Sequence, residues 1–147
     1  MAVCISVKTL SDQLRQHSVA IISLVVALSS LGYNTWRNEQ TEANRNVRSA
    51  GIELLLKLGE LDEVVFFSYY EQDLERGNPH SGWAYVLTIR DLGDLMNEPA
   101  ASTSMELFDV WASYSSDMGE DKHAHEIISA SIDQLRFDTH QVLAELD

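Results

Sequence analysis

The stretch "VAIISLVVALSSLGYNTWRNEQTEANRNVRSAGIELLLKLGELDEVV", residues 19–65, decides the fold. It opens oily, turns polar on every side, and closes amphipathic, with no proline to interrupt a helix. From Gln16 to Trp36 there are 21 residues without Asp, Glu, Lys or Arg. A helix needs about 20 such residues to cross the hydrocarbon core of a bilayer. A buried core helix rarely goes so far without a charge, and an interfacial helix carries a charged face that is missing here. A cleaved signal peptide wants a small-x-small site. "ALS" at 27–29 has the residues, but the helical character runs on past it without a turn. The residues predict one uncleaved membrane-spanning helix over 16–36, preceded by a tail over 1–15.

The flanks agree with that reading. Tyr33 and Trp36 stand at the distal end, where amphipathic rings favour the headgroup layer. Arg15 and Arg37 bracket the run and can reach outward to the interface. Within the span Ala20, Ser23, Ala27 and Ser30 recur at spacings of 3, 4 and 3. That sets four small residues on one helix face, the pattern of a packing seam between two membrane helices. The expected partners are therefore the lipid bilayer and a second copy of the chain. Orientation is nearly balanced. Lys8, Arg15 and the amino terminus lie on one side, Arg37, Arg45 and Arg48 on the other. Acids weigh little against translocation, which tips the reading toward the tail inside and the acidic part outside.

Residues 37–46 form a neck that is polar all round, and residues 47–147 form the folded part. Val47, Gly51, Leu54, Leu58, Leu61, Val65 and Ser68 step by 4 and 3 alternately. That is the apolar stripe of an amphipathic helix, extending to about residue 75. "VVFFSYY" at 64–70 could pass for a short strand. Its flanks are helical, so its aromatics are expected to fill the top of a bundle. "ERGNPHSG" at 75–82 reads as a loop. A helix follows over 83–97, stopped by Pro99. The next opens on Thr103-x-x-Glu106, the pattern of a capping box, and ends at Gly119. The last carries the stripe Ala124, Ile128, Ile132, Leu135, Val142 and Leu146. The fold class is all-α: a single N-terminal transmembrane helix continuing into a bundle of about four helices.

The net charge is −13, and residues 51–147 carry 20 acids against five Lys and Arg. Such a domain is repelled by nucleic acid, so no nucleic-acid partner is expected. One cysteine, Cys4, excludes an intramolecular disulfide. "DKHAHE" at 121–126 is the one histidine cluster, but His123 and His125 are two apart and diverge on a helix. They read as solvated helix-start residues, and no metal or cofactor is expected. The sequence holds no nucleophile elbow, phosphate-binding loop or zinc-protease motif, so it does not read as an enzyme.

Residues 30–65, above all "YNTWRNEQTE", resemble a group of uncharacterised single-pass membrane proteins of gammaproteobacteria. In these a short tail and one span precede a Y-N-T-W-R-N-E segment and an E-L-x-x-V helix. The resemblance implies a bacterial inner-membrane protein with a small helical domain and carries no activity or site residue. The expected function is a membrane-anchored module for protein interaction or sensory adaptation, with a protein partner still to be named. The alternative is a small ligand- or metal-binding bundle for which the span is a tether.

Overall fold

A computed structural model describes the backbone of residues 10–146 and the side chains of residues 17–146. Residues 1–9 of the expected tail, with Cys4 and Lys8, and the side chain of Arg15 lie outside the described residues. All the regular structure described is helical: α1 (Leu10–Phe66), a π-helical turn (Phe67–Glu71), α2 (Pro79–Gly93), α3 (Ala100–Tyr114) and α4 (Lys122–Glu145). The all-α expectation holds. Residues 37–46, the polar neck, are helical throughout. Two compact units meet between Glu42 and Ala43. The first holds the oily run. The second is a four-helix bundle made by the rest of α1 with α2, α3 and α4.

The bundle core follows the periodic stripes. Leu54, Leu58, Leu61 and Val65 of α1 are buried, as are Ala124, Ile128, Ile132, Leu135 and Val142 of α4. Val86 and Ile89 of α2 and Leu107 and Trp111 of α3 complete it. Each fully buried aliphatic or aromatic side chain contributes roughly 1.5–3 kcal/mol. The exposed ion pairs contribute about 0–1 kcal/mol each. Apolar packing therefore dominates. Two glycines set the approach of α2 to α3. A Cβ on Gly82 would run into the indole of Trp111, and one on Gly93 into the side chain of Ser104. At the opposite margin, Arg48 Nη2 of α1 donates to the carbonyl of Leu146, the C-cap of α4, at 2.6 Å. A cation at a helix C-terminus meets the negative end of its dipole.

The helix boundaries depart from the sequence reading at several points. First, α1 gives way to the π turn at Phe67 instead of continuing to residue 75. The chain leaves it through Gln72 in the left-handed region, φ 50°, with Asp73 N–H on the carbonyl of Phe67 at 3.1 Å. Glycine usually marks such a stop, and here glutamine fills it. Second, the loop expected over 75–82 ends at Asn78. Pro79 is the first residue of α2, where its missing N–H costs nothing, and the Asn78 side chain accepts from His80 N–H at 2.9 Å. Third, α2 ends at Gly93, four residues short. Fourth, Thr103-x-x-Glu106 is not a capping box. Helix α3 starts at Ala100, and Glu98 Oε2 accepts from Ser102 N–H at 3.2 Å and from its hydroxyl at 2.7 Å. Thr103 lies buried within α3, which ends at Tyr114 and not at Gly119.

Candidate membrane anchor and interaction surfaces

From Val19 to Leu31 every large apolar side chain is more than half exposed. This is one helix long and apolar enough to cross a membrane, and none of its apolar stretch is buried inside the structure. A helix in the core of this chain would be mostly buried, and this one is not. Within the first unit, Ala20, Ser23, Ala27 and Ser30 are all exposed on the helix surface. Gly32 faces open space. At the distal end Tyr33 and Trp36 lie together, ring centres 6.2 Å apart and planes tilted by 48°, with Arg37 exposed beside them. Thr35 and Thr41 turn their hydroxyls back to the carbonyls of Leu31 and Arg37, at 3.0 and 2.9 Å. Such a bond to the carbonyl four residues back is the local partner a threonine hydroxyl finds within a helix.

In the bundle the aromatic run divides. Val64 and Val65 are buried, Phe67 and Tyr69 are half-buried, and Phe66 and Tyr70 face outward. Only part of the run therefore fills the top of the bundle. Tyr69 stacks on His125 of α4, ring centres 4.1 Å apart and planes 8° from parallel, and Tyr70 meets the same imidazole edge-on at 5.3 Å. His125 is thus half-buried and not a solvated helix-start residue, and its buried Nδ1 has no hydrogen-bond partner. Asp121 caps α4 by accepting from His123 N–H at 3.0 Å, and His123 stays exposed. The cluster is a cap and a stacking joint. Among the described residues no three His, Cys, Asp or Glu side chains come together as a metal site.

Near this joint a groove of 590 Å³ lies between the α1–α2 turn and the α3–α4 turn, lined by Gln72, Asp73, Leu74, Asn78, Ser116 and Glu120 among others. Asp73 organises one wall. Its Oδ1 accepts from the N–H groups of Arg76 and Glu75, at 3.1 and 2.9 Å. These donors, Arg76 foremost, hold its carboxyl below the ordinary value of 3.8, and the Arg76 charge adds to them. A depressed carboxyl stabilises the fold above its unfolded value and loses that contribution as pH falls through the folded one. Acidification from about pH 5 to about pH 3 is therefore expected to loosen the 73–78 turn. The amides of Glu75 and Arg76 should then lose protection relative to the intrinsic exchange rate at each pH, and Asp73→Asn should flatten this dependence.

A buried carboxyl was hidden from the sequence reading. Asp138 of α4 is buried, with Oδ2 2.5 Å from the Thr103 hydroxyl of α3 and Oδ1 accepting from Gln134 Nε2 at 3.0 Å. The Thr103 hydroxyl also lies 3.0 Å from the carbonyl of Pro99. This polar cluster joins α3 to α4 through the core. Its geometry is that of a structural tie: both carboxyl oxygens are engaged within the protein.

No family model matches the sequence, and no curated protein or solved structure gives a match to it.

Proposed function

We propose that the chain is a membrane-anchored helical module for protein interaction or sensory adaptation. The observation that carries this reading is the fully exposed oily run of α1, attached to an acidic bundle whose own core is complete. Apolar side chains cost roughly 1.5–3 kcal/mol each when left in water instead of apolar surroundings. A run of this length needs a non-aqueous environment, and a bilayer supplies it. The bundle, by contrast, needs nothing further to bury its core, which leaves its surface available for partners. We assign the span to residues 16–36 of a bacterial inner-membrane protein, in line with the resemblance of residues 30–65. The acidic unit is assigned to the periplasmic side, with Arg15, Tyr33, Trp36 and Arg37 at the interfaces. The role is binding and not catalysis.

The full-length protein is expected to stay with membranes through an alkaline carbonate wash. Release into the soluble fraction would sink the anchor. The side is tested separately: a reporter fused after Asp147 should be active in the periplasm, and activity confined to the cytoplasm would reverse the orientation.

A further inference from the structure

Helix α1 and the π turn that follows it carry a second stripe, on the side turned away from the bundle core. Ile52, Leu56, Gly59, Glu63, Phe66 and Tyr70 step by 4, 3, 4, 3 and 4. At about 100° per residue they lie opposite Leu54, Leu58 and Leu61. Ile52 is 53% exposed, Leu56 59%, Phe66 47% and Tyr70 62%. Phe66 and Tyr70 hold each other across one turn, ring centres 5.2 Å apart. A Cβ at Gly59 would meet nothing within 4 Å, so the middle of the stripe is open to close approach. No other element of the bundle covers these side chains.

The charges beside this stripe are arranged unusually for so acidic a chain. Lys57 Nζ reaches Glu60 Oε2 at 2.8 Å and Glu53 Oε1 at 4.0 Å on one margin. Arg136 Nη2 of α4 comes to Asp62 Oδ2 at 3.3 Å on the other. Arg76 Nη2 comes to Glu63 Oε1 at 2.7 Å within the stripe itself. Every acid from Glu53 to Glu63 is thus paired inside its own chain. A face meant for a basic partner would keep its carboxylates open. A face meant for another copy of an acidic chain must offset most of them, because two chains of net charge −13 repel.

We propose that this face of α1 pairs with the same face of a second copy, in a parallel two-stranded coiled coil. The proposal rests on the interaction-module reading and names its partner. A heptad stripe supplies both the knobs and the holes that an identical stripe needs. Lys57, Arg76 and Arg136 between them offset all but one of the four negative charges along the stripe, which lowers the repulsion that would otherwise oppose it. Glu63, bonded to Arg76, is the single polar seam position, a device that fixes register in such pairs. Parallel pairing sets aromatic end against aromatic end and suits two chains inserted alike in one bilayer.

The test uses the full-length protein in native membranes and in detergent, with Cys4→Ser as background. Leu56→Cys is expected to give a disulfide-linked dimer on mild oxidation, while Asp109→Cys, exposed on α3, gives none above background. Equal cross-linking at both positions would mean random collision and overturn the proposal. In detergent, Ile52→Glu with Leu56→Glu should convert a dimer to a monomer by sedimentation without loss of helix, since both positions are exposed. An unchanged dimer would refute the face. Ser23→Leu with Ala27→Leu, which disrupts the small seam of the span, should leave the Leu56→Cys cross-link in place. Its disappearance would assign association to the span alone. If the carbonate wash releases the protein but the cross-link persists, the anchor fails and the dimer face stands.

Discussion

Replacing Trp111 by alanine is expected to remove about 3–5 kcal/mol from the bundle, the range for deleting a large buried aromatic. A domain of this size has about 5–15 kcal/mol in all, so the variant should sit near the edge of folding. Trp111 is fully buried, and its ring fills the space that Gly82 leaves at the start of α2. The same joint can be broken from the other side. Gly82→Ala gains about 1 kcal/mol of helix propensity. It also places a methyl group in the indole ring, and overpacking of that kind costs typically 1–3 kcal/mol. The second effect is expected to win. Urea unfolding followed by tryptophan fluorescence, in a Trp36→Phe background that leaves only bundle tryptophans, gives the midpoints. A Gly82→Ala midpoint above that of the parent would show that the ring yields and the joint is loose.

Thr103→Val is the second large effect. It keeps the shape of the side chain and deletes the hydroxyl that faces Asp138 Oδ2 at 2.5 Å. A buried polar group deprived of its partner costs about 1–3 kcal/mol, more if charged. Removing both partners together is far milder, because no group is then left unsatisfied. Thr103→Val with Asp138→Leu should therefore recover much of what the single change loses, with Gln134 free to turn to solvent. A double change that costs the sum of the two single ones would show that the two groups act independently.

How far the sequence could be read depended on whether one physical pattern dominated locally. The stripe from Val47 to Val65 and the one on α4 were legible because apolar side chains at helical spacing can bury themselves in only one way. Thr103 was misread because Thr-x-x-Glu is the right chemistry for a helix start. Glu98, two residues before α3 begins, had already taken that role. Asp138 left a trace: the α4 stripe jumps from Leu135 to Val142, and the positions that continue its spacing hold Asp138 and Thr139, both buried. A polar residue at a core position needs a partner on another helix, which spacing along one helix cannot reveal. The outer stripe of α1 was hidden by abundance. Leu54, Leu55 and Leu56 point in three directions, and a run of leucines looks like one face until a structure shows which are covered. Of the membrane-flanking and seam residues, the structure places Tyr33 beside Trp36 and leaves Ala20, Ser23, Ala27 and Ser30 open on the helix surface.

The bond from Arg48 to the carbonyl of Leu146 joins residues 98 apart in sequence. It draws the bundle's entry and exit to the same edge, so the unit forms a closed lobe hanging from a single doorway. A lobe of that kind can be lifted out and spliced into another chain at one point, since neither join has to stretch across the fold. It also means that any segment attached behind α4 emerges beside the helix that leads into the lobe. Whatever is fused there is delivered back to the root of the domain and not to its tip.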